Sequence, residues 1–211
     1  MDHDEQELKA EHNWEAYYES LNGREPRPLF VQVLAKFPSG SSSYMLGQRH
    51  AVDLGCGDGT ETLALLEAGW SVLAIDSEPA AIDHVQSKAA AEYHPRLETM
   101  VAGFEDLHLP ATDLVYAGYS LPFCKPAAFD DLWDKITSSI KPGGRFAGQL
   151  FGIRDSWADE PEMIFHSAEQ AAALLVRGFE VEFLEEIEKD GEAFSGPKHW
   201  HVFDIIARKL V

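Results

Sequence analysis

The chain begins its apolar rhythm at Asn13. Trp14, Tyr17, Tyr18 and Leu21 recur at helical spacing, residues 23–28 interrupt the pattern, and Leu29 to Phe37 resumes it as a second helix. Residues 1–12 are charged and carry no such rhythm, which predicts a frayed end. Pro38 to Ser43 is a Pro/Gly/Ser loop. Beyond it the pattern changes to short apolar runs. His50–Leu54, Ser71–Ile75, Leu97–Ala102, Asp113–Gly118 and Arg145–Phe151 predict strands. Between them, Thr60–Ala68, Ser77–Tyr93 and Phe129–Ile140 predict helices, the second opened by Ser77 and Pro79. A further helix over Ser167–Val176 stops at Gly178. Phe179–Glu186 and Trp200–Arg208 then predict two last strands, close enough to pair antiparallel.

Strand and helix alternate from 50 to 178, and that order predicts a parallel sheet covered on both faces. The expected architecture is α/β: a Rossmann-like, doubly wound sheet, mostly parallel, with an antiparallel C-terminal pair. Residues 48–211 form the domain proper. Residues 1–47 form a helical cover belonging to the same domain. No internal repeat is present.

Asp53-Leu54-Gly55-Cys56-Gly57-Asp58-Gly59 is the strongest local signal. A strand ends, the chain turns tightly and a helix begins. Glycines there permit positive φ and let a ligand approach bare backbone. The helix start at Thr60 and Glu61 offers free N–H groups and a positive dipole end, which suit a carboxylate. A dinucleotide fingerprint would place a glycine at position 60, where this chain has threonine. A structural turn without ligand and a nicotinamide site are the competing readings. Asp76, at the end of the second strand, can accept both hydroxyls of a ribose, and it can also serve as a plain helix cap.

These residues resemble the class I S-adenosylmethionine-dependent methyltransferases, and the resemblance spans Gln48 to Arg208. Asp53 to Gly59 is similar to their first motif, and Asp76 to the ribose acid of the second. Gly103-Phe104-Glu105-Asp106-Leu107 is similar to the third, which borders adenine. Asp113 to Gly118 resembles the fourth strand, and Lys141-Pro142-Gly143-Gly144-Arg145 the turn before the fifth. The resemblance implies a seven-stranded sheet and a donor site for S-adenosyl-L-methionine, with S-adenosyl-L-homocysteine as product. That site takes in Asp53, Gly55, Cys56, Gly57, Asp76, Ser77, Phe104, Glu105 and Ala117, with Tyr18 and Arg27 from the cover. A closer resemblance is to small bacterial methyltransferases of the tellurite-resistance type, through the short cover, Phe165 and Glu169, and the ending Asp204 to Lys209. Those enzymes carry arginine and histidine before the last strand. This chain has Lys198-His199-Trp200-His201 instead, a departure that argues against an oxyanion substrate.

Composition narrows the partners. Thirty-six carboxylates face 17 Lys and Arg, for a net charge of −19. Such a field repels nucleic acids and anionic membrane surfaces. No run approaches the roughly 20 apolar residues of a spanning helix. The acidic start does not resemble a signal peptide. Cys56 and Cys124 form neither a metal spacing nor a disulfide framework, so a reducing, cytoplasmic setting is expected. The partner expected is a small-molecule acceptor, with the chain a monomer or homodimer.

Methyl transfer from a sulfonium mainly requires alignment and exclusion of water, so no catalytic acid or base is singled out. Three stretches are candidates for the acceptor pocket. Tyr119 to Cys124 follows the fourth strand and lacks the Asn/Asp-Pro-Pro-Tyr pattern of amino-group methylating enzymes. Gly152 to His166 is a loop long enough to act as a lid, and it carries Arg154, Asp155 and Trp157. The cover supplies Trp14, Tyr17, Tyr18, Arg24 and Arg27, aromatics able to hold a sulfonium and arginines able to meet a carboxylate. Tyr119, Arg154, Trp157 and His199 are the acceptor-side residues expected. His199 and His201 share one strand face without further ligands, so no metal is expected. Besides an enzyme acting on a small molecule, a non-catalytic S-adenosylmethionine sensor or regulatory protein fits the same motifs. A transfer assay separates the two.

Overall fold

The computed structural model describes Tyr18, Ser20, Leu21 and residues 23–38, 48–176 and 178–211. Trp14, Tyr17, the charged residues 1–12 and most of the 38–43 loop lie outside the described residues. The elements in chain order are α1 (Pro28–Ala35), β1 (His50–Leu54), α2 (Thr60–Glu67), β2 (Ser71–Asp76), α3 (Pro79–Lys88), β3 (Leu97–Val101), β4 (Thr112–Ala117), α4 (Pro126–Ser139), β5 (Ile140–Gly152), β6 (Phe165–His166), α5 (Ala168–Leu175), β7 (Phe179–Ala193) and β8 (Gly196–Lys209).

The strands join in the order β3-β2-β1-β4-β5-β8-β7. β1 to β5 run parallel, and β8 inserts antiparallel between β5 and β7. Period-two alternation sends neighbouring residues to opposite faces. Val52 and Val115 join a core with Phe129, Trp133 and Leu175 of α4 and α5. Ala51 and Leu114 join another with Phe30 and Val33 of α1 and Leu65 of α2. Helices therefore cover both faces, as the alternation predicts.

The element bounds differ from expectation in physically readable ways. The α3 helix stops at Lys88 rather than Tyr93, because Ala89 is extended and a 3-10 turn over Ala91–Arg96 contains Pro95. The α4 helix starts at Pro126 rather than Phe129; proline is favoured at the first helical position. Gly152 to His166 is not wholly loop, since Phe151 pairs with Phe165 and Gly152 with His166. This adds an eighth strand too short to leave a pattern. The largest difference is at the end of the chain. The expected strands Phe179–Glu186 and Trp200–Arg208 are the inner part of one long hairpin. It is registered from Phe179↔Lys209 to Ala193↔Gly196. Its outer part is polar and half-solvated, so it lacks the apolar alternation that marks a strand. β8 pairs with β5 only as far as Val202, so residues 196–201 run past the edge of β5.

No helix among the described residues is long and apolar enough to cross a membrane.

Candidate active site

A single cavity of about 1680 Å³ opens at the carboxyl ends of β1, β2 and β4 and continues to the outer hairpin. At one end lies the glycine turn. Gly55, Gly57 and Gly59 have φ of 79°, 50° and 80°. The N–H groups of Gly55 and Cys56 both donate to the Ile75 carbonyl, at 2.8 and 2.9 Å, which folds the turn back over β2. The positive φ of Gly57 favours glycine, and a Cβ there would lie 3.3 Å from the Tyr18 ring, so the aromatic above leaves a side chain little room.

Asp76 ends β2 and lines the cavity. Its carboxylate accepts from the N–H of Gly57 at 2.9 Å and of Glu78 at 3.0 Å, and from the Tyr18 hydroxyl at 3.4 Å. Burial pushes the Asp76 carboxyl up, and the two N–H donors oppose that shift. Three more carboxylates stand beside the turn. Asp53, fully buried, accepts from the Thr62 hydroxyl at 2.6 Å. Burial, then the Glu61 charge, pushes Asp53 up to about 7. Asp58 and Glu61 are buried too, and both are bridged by Arg24, at 2.8 Å to Asp58 and 2.5 and 2.7 Å to Glu61. Glu61 also accepts the Arg27 N–H at 3.0 Å. The segment before α1 is thus tied across the start of α2. Arg24 is committed to these carboxylates. The Arg27 guanidinium instead lies 4.9 Å from the centre of the Tyr119 ring.

At the other end the walls are aromatic. Phe151 is buried at the centre, with Tyr119, Phe123, Trp157 and Trp200 around it at 5.8–6.5 Å between ring centres. Tyr119 has φ of 59°, the one positive value outside glycine among the described residues. Its N–H donates to the Gln149 side chain at 3.1 Å, and Gln149 in turn donates to Asp204 at 3.0 Å. This buried relay from β5 and β8 holds a strained residue whose ring lines the cavity. Beneath the aromatics Lys198 is buried against Asp155, and its ammonium lies 3.5 Å from the Trp157 ring centre. Burial pushes the Lys198 ammonium down, and Asp155 opposes the shift. Asp155 also accepts the N–H of Trp157 at 3.0 Å and of His201 at 3.2 Å. A Cβ on Gly152 would fall 2.0 Å from Nδ1 of His201, so only glycine lets β5 and β8 approach there. The start of the Gly152–His166 segment, a candidate lid by its length, is thus tied to β8 through Asp155 and Gly152.

Of the residues singled out in the sequence, Tyr18, Arg27, Asp53, Gly55, Cys56, Gly57, Asp76, Ser77, Phe104, Glu105, Tyr119 and Trp157 line this cavity together. Three do not. Ala117 is packed into the core, and its neighbour Gly118 faces the cavity instead. Arg154 pairs with Glu186 and Glu188 at 2.6 and 2.7 Å. His199 pairs with Asp190 and Glu188 at 2.6 and 3.2 Å. Period two along β8 accounts for His199: Trp200 and Val202 line the cavity, so His199 and His201 face away. Sequence reasoning passed over Trp200 and Lys198, although the same alternation marks them as partners of Val202. Ile187 and Lys189 to Ser195, at the hairpin tip, also line the cavity. They carried no signal, because the hairpin's length was not legible. No group of three or more His, Cys, Asp or Glu among the described residues is arranged to hold a metal ion.

A methyltransferase-domain family matches residues 51–144. Trans-aconitate 2-methyltransferase from Paracidovorax citrulli is 31% identical over 143 residues, which cover 66% of this chain and 50% of that protein. The chain thus spans about half the length of that relative. Among solved structures, TehB from Haemophilus influenzae aligns with a TM-score of 0.68 at 13% identity, over 93% of this chain and 67% of that one. Burkholderia thailandensis 1,6-didemethyltoxoflavin-N1-methyltransferase aligns with a TM-score of 0.63 at 19% identity, over 100% of this chain and 92% of that one. Identities this low speak to the fold alone. The domain match over residues 51–144, the sheet order and the glycine turn between β1 and α2 together make this chain similar to the class I S-adenosylmethionine-dependent methyltransferases.

Proposed function

We propose that this protein transfers the methyl group of S-adenosylmethionine to a small-molecule acceptor held in the same cavity. The observation that carries the reading is the continuity of the cavity from the glycine turn and Asp76 to the aromatic end. At about 1680 Å³ it exceeds the roughly 300–1,000 Å³ of a site for one small ligand. The glycine-turn end fits the donor. Asp76 offers lone pairs to a ribose, Phe104 and Glu105 border the base, and the bare backbone of the turn admits the ligand. Arg24 is held by Asp58 and Glu61, so Arg27 is the guanidinium assigned to the donor carboxylate. Small-molecule acceptors are supported by the trans-aconitate relative.

The donor supplies a methyl group already activated on a sulfonium. The acceptor's lone pair forms the new bond to carbon as the carbon–sulfur bond breaks, and sulfur keeps the electron pair as a neutral thioether. A proton on the acceptor leaves to solvent. The chain's task is to align the two molecules and exclude water, with Tyr18 over the turn and the aromatic end closing the other side. The net charge of −19 favours a small partner over nucleic acid.

Calorimetry with S-adenosylhomocysteine tests the donor half. Asp76→Ala should weaken binding by about 1.5–3 kcal/mol, as expected for charge-assisted hydrogen bonds. Gly57→Val should abolish it. Unchanged affinity in folded variants would overturn the assignment. Transfer of a labelled methyl group to an acceptor panel tests the rest. A chain that binds donor and product yet methylates nothing would be a sensor or regulatory protein instead.

A further inference from the structure

The aromatic end carries more information than its apolarity. Phe151, Met163 and Val202 form a buried floor, and Tyr119, Phe123, Trp157 and Trp200 stand half-buried around the cavity. Rings of this size gain most when both faces are covered, and flat partners cover them by offset stacking.

The charges around the rings restrict what that partner is. The Lys198 ammonium sits 3.5 Å from the ring centre of Trp157, 4.7 Å from Trp200 and 5.1 Å from Phe151. Arg27 covers Tyr119 at 4.9 Å. Four of the five rings thus already hold a cation of the protein on one face. A cage that recognises a cationic ligand needs that attraction for the ligand. Here it is spent internally, and the ring faces turned to the cavity are drained of electron density. They favour an electron-rich conjugated system. The mouth restricts it further. Glu160, Glu162, Asp190 and Glu192 line this end against Lys125 and Lys189, and Lys125 is paired with Glu162 at 3.2 Å. That balance opposes a small polycarboxylate.

We propose that the acceptor is a flat, conjugated, uncharged small molecule, a phenolic or nitrogen-heterocyclic ring system stacked on Trp157 and Trp200. The proposal rests on the methyl-transfer reading above and names its substrate class. It departs from the substrate in the name of the trans-aconitate relative.

The test begins with S-adenosylhomocysteine binding by calorimetry, in the parent and in Trp157→Leu and Trp200→Leu. Equal donor affinity in all three establishes that the variants fold. The product-saturated proteins are then titrated with 7-hydroxycoumarin, lumazine, trans-aconitate and putrescine. The flat pair should bind the parent and lose about tenfold or more in affinity in each leucine variant, with Trp157→Phe and Trp200→Phe restoring most of it. Trans-aconitate and putrescine should bind no better than to the leucine variants. Tighter binding of either in the parent, or flat probes indifferent to both substitutions, overturns the proposal. Absence of flat-probe binding in a parent that binds S-adenosylhomocysteine also overturns it and leaves the donor reading intact. Absence of S-adenosylhomocysteine binding removes both.

Discussion

At the glycine-turn end of the cavity the ligand-facing groups are main chain and strand-end carboxylates, fixed by parallel strands on either side. At the aromatic end they are large side chains from three separate stretches, fixed by one buried ion pair and a hairpin that runs past the sheet. The first arrangement depends on backbone dihedrals and local spacing. The second depends on contacts between residues far apart in the chain, such as Asp155 and Lys198 or Gly152 and His201. The difference teaches that one cavity can hold a region constrained by the fold and another constrained only by packing, and that the two should fail separately.

The strongest way to break that comparison is Lys198→Met. Both partners of the pair are buried, so the change strands the Asp155 carboxylate. Loss of one partner of a buried pair costs about 3–5 kcal/mol, read from urea midpoints. Adding Asp155→Asn, which removes the stranded charge and keeps one acceptor oxygen for the two N–H groups of Trp157 and His201, should recover part of it. S-adenosylhomocysteine affinity should stay at the parent level in the folded single variant. If it falls in step with stability, the two ends are not independent.

Acid gives an effect of similar size with opposite signs at the two ends. His166, in β6 behind the aromatic wall, is buried with Nδ1 unpartnered, and burial pushes it down to about 4. The unfolded chain, near 6.5, takes up a proton that the folded chain refuses, so this residue makes stability fall as pH drops from about 6.5 to 4. The full difference is about 3 kcal/mol. Asp53, pushed up to about 7, does the reverse: the folded chain keeps a proton that the unfolded chain sheds, so stability falls as pH rises from about 4 to 7. Relative to the parent, His166→Phe should gain stability on acidification and Asp53→Asn should lose it. Midpoints measured across that range decide the matter, and parallel curves for parent and His166→Phe would contradict the burial argument.

A smaller effect sharpens the contrast at Tyr119. Glycine usually destabilises relative to alanine, yet at φ 59° the order should invert, with Tyr119→Gly about 1 kcal/mol more stable than Tyr119→Ala. Both should lose methyl transfer while keeping donor affinity. The smallest effect belongs to Arg154→Ala and His199→Ala. Their ion pairs are solvated and lie off the cavity, so melting temperature and transfer should match the parent within error. A large loss of transfer would return them to the acceptor site.

The same contrast governs what was legible in the sequence. Sheet, helices and glycine-turn residues follow from periodicities and spacings within a few positions, and Asp53, Gly57 and Asp76 occupy the places their spacing predicts. The aromatic end was legible only in fragments. Trp157 and Tyr119 stood out as aromatics in loops, while His199 was favoured over Trp200 because its chemistry is more conspicuous, although alternation along β8 separates the two faces. Alternation places Lys198 on the Trp200 face, but its pairing with Asp155 could not be read, since nothing nearby announces that partner. The outer hairpin was missed because polar, solvated strands resemble loops.

β8 also guards an edge. Along Arg145–Phe151 it is β8 that gives β5 its second neighbour beside β4, through pairings such as Arg145↔Arg208. The hairpin pairs residues close in the chain at its tip, whereas its docking on β5 joins residues far apart. Undocked, it would leave an open, apolar β5 edge bearing Phe146 and Leu150, the kind of edge on which chains aggregate. The strand that completes the aromatic wall is thus also the one that seals the sheet, and a substitution weakening its docking would show first as poor refolding yield, before any change in catalysis.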